Sequence, residues 1–172
     1  MEERFLLDAN TFITPFKNYY PFDLTPGFWT QLALKLQGDS VYILDVVKNE
    51  VMKGEDELSE WFKLIDNVKI VDRRNTIIIN KYKEVLEFLQ ESPLYSERAL
   101  RNWSNISVAD PWLIAAASAL GYTLVTFETS AGIISINSPS GKPKIPDIAK
   151  VFNVNCVNLF YLMRKMNIAW LG

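Results

Sequence analysis

Residues Arg4 to Asp8 form an apolar run that starts close to the first residue and stops at an acid. Nothing alternates within Phe5-Leu6-Leu7, so both faces need covering, as in a central strand of a parallel sheet. Further short apolar runs lie at Val41 to Leu44, Val68 to Val71 and Tyr122 to Thr126. Between them the apolar residues take helical spacing: Ala9 to Tyr20, Pro26 to Gly38 through Phe28, Trp29, Leu32, Leu34 and Leu36, Val46 to Gly54, Asp56 to Ile65 and Thr76 to Gln90. Ser92 to Asn105 reads as loop with a short helix, and Ser135 to Pro146 as an exposed loop. Pro146 to Phe152 and Cys156 to Met166 read as closing helices. Short strands alternating with longer helices imply a parallel sheet, right-handed crossovers and helices on both faces.

The helix starts carry their own signals. Thr25 reads as a cap before Pro26, Asp45 as a cap after Leu44, and Asp110 as a cap with Pro111 at the first position of an alanine-rich helix ending at Leu120-Gly121. At 172 residues, 49% of them hydrophobic, the chain fits one domain spanning 1–172 with a full-sized core. Tyr19, Tyr20, Phe22 and Trp103 are assigned to that core ahead of an interface.

Absent residue types narrow the chemistry. There is no histidine, which excludes a Ser-His-Asp triad, a histidine base and any zinc site built on histidine. The one cysteine, Cys156, forms neither an internal disulfide nor a multi-thiolate site and suits a reducing cytoplasm. The acidic first residues are unlike a signal peptide, and no apolar stretch approaches the roughly 20 residues of a membrane span. Eighteen basic residues against 20 acids leave a net charge of -2, so nucleic acid would have to be held by a local basic rim.

In an open parallel sheet, ligands collect at the carboxyl ends of the strands. Asp8 ends the first strand, Glu50 follows the second, Asp110 opens the alanine-rich helix and Glu128 lies just past a late strand. These four acids are the candidate catalytic and metal-binding residues. Oxygen-only ligands suit Mg²⁺ or Mn²⁺. One or two such ions lower the pKa of a water, orient a phosphate and stabilise the leaving oxygen, with no side chain as nucleophile. Asn10 and Thr126 are read as groups that orient the carboxylates by hydrogen bonds. Asp45 and Asp147 remain competing acids. Lys48 and Lys53, flanking Glu50, are the best-placed phosphate contacts among cations that include Lys17, Arg73, Arg74, Arg98, Arg101, Lys142 and Lys144.

Four stretches carry a resemblance. Phe5-Leu6-Leu7-Asp8-Ala9-Asn10-Thr11-Phe12-Ile13 resembles the opening strand of PIN domains, and Val47-Lys48-Asn49-Glu50-Val51 is similar to their glutamate-bearing helix. Ala109-Asp110-Pro111-Trp112-Leu113-Ile114-Ala115-Ala116-Ala117 resembles the helix that begins with Asp. Leu124-Val125-Thr126-Phe127-Glu128 resembles the late strand, with Glu128 where Asp is usual. The four occur in family order over residues 4 to 152. The aromatic Tyr19 to Trp29 segment looks closer to an uncharacterised PIN-like prokaryotic group than to the compact VapC-type toxins. The resemblance implies a three-layer α/β/α sandwich around a mostly parallel sheet of four to five short strands. It also implies an Mg²⁺- or Mn²⁺-dependent endoribonuclease, the toxin of a toxin–antitoxin pair, with RNA as substrate, an antitoxin protein and a second copy as partners, in the cytoplasm and away from membranes.

Other classes fit less well. A haloacid-dehalogenase-type phosphatase needs a second Asp where Asn10 stands, and no Gly-x-x-x-x-Gly-Lys phosphate loop occurs. The remaining alternative is a catalytically weak or silent PIN-like protein that binds RNA or protein, distinguished by its lack of need for a metal.

Overall fold

Phe5–Leu7 forms β1, fully buried at the centre of a five-stranded parallel sheet in the computed structural model, which describes residues 2–169. The outermost positions of the expected domain, 1 and 170–172, lie outside the described residues. The strand order is β3-β2-β1-β4-β5, with β2 (Val41–Leu44), β3 (Lys69–Val71), β4 (Thr123–Val125) and β5 (Cys156–Val157). On β1, Phe5 is level with Val41 and Thr123, and Leu7 with Ile43 and Val125. Helices cover both faces of the sheet, which is why its central strand carries no polar side chain. This is the three-layer α/β/α arrangement expected from the alternation of short strands and helices.

The helices are α1 (Asn10–Thr14), α2 (Pro26–Leu36), α3 (Asp45–Met52), α4 (Glu57–Lys63), α5 (Thr76–Glu91), α6 (Glu97–Trp103), α7 (Ala109–Leu120), α8 (Ile145–Val151) and α9 (Leu159–Lys165). A π-helical turn at Pro15–Tyr19 follows α1. In α2, Phe28, Trp29, Leu32 and Leu36 are buried whereas Leu34 faces solvent, because its position falls off the inward stripe. Phe22 stacks on Trp29 at 4.4 Å and Trp103 is buried, so most of the aromatic segment serves the core; Tyr19 is the exception, at 54% exposed. Gly121 ends α7 with a φ of 69°, a left-handed conformation that glycine adopts without a Cβ penalty.

Several sequence expectations are corrected at the element ends. Cys156 does not open a helix. With Val157 it forms edge strand β5, and α9 starts only after Asn158, whose side chain accepts from the Tyr161 amide. Two residues are too short a pattern to be told from a helical turn. Thr25 holds the N-cap position of α2 as expected, but its hydroxyl donates to the Pro21 carbonyl at 2.7 Å and makes no side-chain bond to the helix. Asp110 is not the cap of α7 either: Val108 occupies that position, Ala109 starts the helix, and Asp110 and Pro111 sit inside its first turn. Asp45 likewise lies within α3, after Leu44. By contrast Asp56 does cap α4, accepting from the Ser59 amide at 3.0 Å.

The chain leaves β1 for β2 on one side, and returns later to β4 on the other. The carboxyl ends of β1 and β4 therefore border the crevice where strand order reverses, the customary ligand address of open α/β sheets.

Candidate active site

Asp8 stands at that crevice. Its amide donates to the Val125 carbonyl at 2.9 Å, which continues the β1–β4 ladder by one bond and fixes where the side chain emerges. The carboxylate is 5% exposed, and Thr126, one residue past β4, donates its hydroxyl to Oδ2 at 2.7 Å. A hydroxyl has one proton, and here it goes to Asp8. The Thr126 oxygen accepts in turn from Asn10 Nδ2 at 3.2 Å and from the Glu128 amide at 3.0 Å, while Asn10 Oδ1 accepts from the Phe127 amide at 2.9 Å. Asn10 thus clamps the start of α1 to the chain leaving β4, and Thr126 passes that order to Asp8. Thr126 bonds the Asp8 carboxylate directly, whereas Asn10 bonds no carboxylate and reaches Asp8 only through Thr126.

Burial first, then the Asp110 and Glu50 charges, push the Asp8 carboxyl up to about 7, against the hydrogen bonds from Thr126 and the Ala9 backbone. Asp110 is pushed up to about 6, first by burial, then by Glu128 and Glu50, with Lys144 opposing. Glu50 lies exposed at the lip of the cleft, and its carboxyl is still raised by the part that the protein desolvates, with Lys53 opposing. Asp110 and Glu50 thus act on Asp8, and Glu128 and Glu50 on Asp110, so acids from four separate segments are linked by repulsion through Asp110.

Two hollows meet at Asp110. One, of about 840 Å³, is lined by Glu50, Lys53 and Arg73 among others; the second, of about 390 Å³, by Arg101, Glu128, Lys142 and Lys144. Among the described residues, no three Asp, Glu or Cys side chains are gathered closely enough to enclose an ion. Mutual repulsion favours separation, and Glu128 is drawn aside: Oε1 lies 3.2 Å from Lys144 Nζ, and Oε2 accepts from the Ile145 amide at 2.8 Å. The donors available are all oxygens, two of them on carboxyls raised by burial, and this chemistry fits a hard divalent cation.

The competing acids are engaged elsewhere. Asp45 accepts from the Arg73 amide at 3.3 Å and lies 3.3 Å from Arg73 Nε. Asp147 accepts from Ser130 Oγ and from the Ala131 amide, anchoring the loop after Glu128. Of the two lysines singled out, Lys53 lines the Glu50 hollow, whereas Lys48 lines a separate one with Phe62 and Ile65. Five residues along a helix turn the side chain by about 140°, so the two cannot share a face. Arg73, Arg101, Lys142 and Lys144 border the acids instead, from segments whose spacing gave no local sign of it. Cys156 is half-buried and its thiol is pushed up to about 11, mainly by burial, so it stays protonated and is a poor nucleophile.

The model of a family described as a domain of unknown function (DUF4411) matches residues 5–170. No curated protein matches. Among solved structures, a chain from the crystal structure of VapBC2 from Rickettsia felis, bound to a DNA fragment from its promoter, is 16% identical. It aligns over 90% of this chain and 97% of its own length with a TM-score of 0.53. A chain of DNA-bound VapBC from Salmonella typhimurium is 17% identical, over 73% and 86% respectively, with a TM-score of 0.47. At such identities the likeness to the Rickettsia protein is one of fold, and the fold is the PIN-like α/β/α sandwich.

Proposed function

The chain belongs to the DUF4411 family, and we propose that it is a single-domain, divalent-metal-dependent endoribonuclease of PIN type, the toxin of a toxin–antitoxin pair. The observation that carries this reading is the crevice beyond β1 and β4, where buried Asp8 shares its electrostatic surroundings with Asp110 and Glu50, and Asp110 with Glu128. Asp8, Glu50 and Asp110 would hold Mg²⁺ or Mn²⁺, with Glu128 joining once it leaves Lys144. A divalent ion bound there supplies Lewis-acid polarisation of a water and of the scissile phosphate.

The protein's own groups supply the rest. Thr126 and Asn10 fix the direction of the Asp8 carboxylate. Burial holds a proton on Asp8 below about pH 7, and that proton leaves before the carboxylate can act as a ligand. Lys53 on one side of Asp110, and Arg101, Lys142 and Lys144 on the other, would meet phosphates of a strand crossing the acids. No side chain serves as nucleophile. Partners in this reading are RNA, an antitoxin protein and a second copy of the chain, in the cytoplasm; no described helix is long and apolar enough to cross a membrane.

The pairing of Glu128 with Lys144 favours a second reading, a PIN-shaped module that binds RNA or protein without cutting. Calorimetry with Mn²⁺ and incubation with labelled structured and single-stranded RNA, on wild type and Asp8→Asn, separate the two. Metal binding and cleavage that both vanish in the variant support the nuclease. A wild type that binds no divalent ion at about millimolar concentration, a weak-binding limit, leaves the binding module.

A further inference from the structure

Beyond Glu128 lies a third hollow, of about 400 Å³, whose lining includes Thr126, Phe127, Glu128, Ser130, Asn158 and Phe160. Phe127 sits between two other rings. Its centroid is 6.2 Å from that of Tyr19 and 6.2 Å from that of Phe160. The three come from the π-helical turn, the chain just past β4 and α9, so the row is made by the fold and not by one amphipathic element. Tyr19 is 54% and Phe160 38% exposed, although a large ring ordinarily goes to the core, as Trp29 and Trp103 do here. Glu128 lines both this hollow and the basic one with Arg101, Lys142 and Lys144. Aromatic rings thus lie on one side of Glu128, and Arg101, Lys142 and Lys144 on the other.

We propose that the Tyr19–Phe127–Phe160 row is a base-stacking subsite that takes an unpaired nucleobase of single-stranded RNA beside the acid crevice. The inference rests on the nuclease reading above and names its substrate class. Glu128 is the wall common to both hollows, so a strand whose phosphates met Arg101, Lys142 and Lys144 would cross it to bring a base to the rings. In a duplex each base face is covered by its neighbours, so a stacking platform selects unpaired segments. Asn158, whose side-chain oxygen accepts from the Tyr161 amide, also lines the hollow.

The test is fluorescence anisotropy of a short labelled RNA, unpaired and as a duplex, in EDTA so that nothing is cut. Wild type, Phe160→Ala, Phe160→Trp and Tyr19→Ala are compared, with Mn²⁺ calorimetry on each. The unpaired strand is expected to bind more tightly than the duplex. Phe160→Ala and Tyr19→Ala are each expected to weaken it by about five- to hundred-fold, while Phe160→Trp retains it and Mn²⁺ affinity is unchanged. Wild-type affinity in both alanine variants, or equal binding of duplex, overturns the subsite and leaves the rings to a protein partner. Stacking-dependent binding by a wild type that takes up no Mn²⁺ upholds the subsite while removing the nuclease reading.

Discussion

Asp8→Asn isolates the electrostatics of the crevice from any catalysis. An exposed aspartate titrates near ~4, whereas Asp8 in the folded chain is pushed up to about 7. The folded state therefore binds this proton more tightly than the unfolded state. Its stability is fully present below the unfolded value and is lost as pH rises through the folded one. At about 1.4 kcal/mol per pH unit, a gap of about three units puts the loss at up to about 4 kcal/mol once Asp8 is ionised. Asparagine has the same shape, carries no charge and still offers an oxygen to the Thr126 hydroxyl. The metal-free variant should match wild type near pH ~4 and exceed it by up to about 4 kcal/mol near pH ~8. Because the difference is one bound proton, the gain should accrue at about 1.4 kcal/mol per pH unit between the unfolded and folded values and level off once Asp8 has ionised, above about 7. Urea unfolding in EDTA at both pH values reads the difference directly. Mn²⁺ at about 100 times its dissociation constant should then add about 2.7 kcal/mol to wild type and little to the variant. An Asp8→Asn protein that is destabilised at high pH, or shifted equally at both, would refute the reasoning.

Thr126→Val removes the hydroxyl that orients Asp8 and should lower Mn²⁺ affinity by about 10- to 100-fold; unchanged calorimetry counts against the orienting role. Wild-type Mn²⁺ affinity should climb as pH rises through about 6 and about 7, where Asp110 and Asp8 lose their protons, and a flat profile over that window contradicts the assigned ligands. Lys144→Met frees Glu128 from its ion pair and should tighten Mn²⁺ while weakening RNA at low salt. Equal metal affinity in that variant means that Glu128 is not a ligand.

The order of elements was legible because burial on both faces leaves an unmistakable trace: Phe5-Leu6-Leu7 and Val41 to Leu44 read as strands, and the heptad-like stripe of α5 as a helix. The edge was not. Strand β5 has two residues and half-buried side chains, so nothing in Cys156-Val157 separates it from a helical start. Caps were misread at Asp45 and Asp110, and Thr25 holds its cap position without a side-chain bond to the helix, since a capping residue type states a capacity while its real partner is set by what lies within reach: the Pro21 carbonyl for Thr25, Arg73 for Asp45. At the site, Asp8, Asn10 and Thr126 could be anticipated, because strand ends in a parallel sheet share an address. The cations could not. Arg101 and Lys144 reach Asp110 only through the packing of α6 and the loop before α8, and neither spacing nor periodicity records that.

Glutamate at position 128 shows how one methylene redistributes the site. An aspartate there, one carbon shorter, would hold its carboxylate nearer the chain leaving β4. Glu128 instead spans to the first turn of α8, where Oε2 accepts from the Ile145 amide and Oε1 meets Lys144. A carboxylate at a helix start is favoured by the unpaired amides and the dipole there. This contact fastens the Lys142–Lys144 segment beside Asp110, whose raised carboxyl Lys144 partly offsets. The same side chain therefore fixes the position of the cations and stands next to the aromatic hollow, so its replacement by alanine would disturb both walls together. Asp8 has no ion-pair partner among the described residues. Its oxygens answer to the Thr126 hydroxyl and the Ala9 amide, and burial and the neighbouring acids outweigh both, which is why the electrostatic burden of the crevice falls on it most heavily.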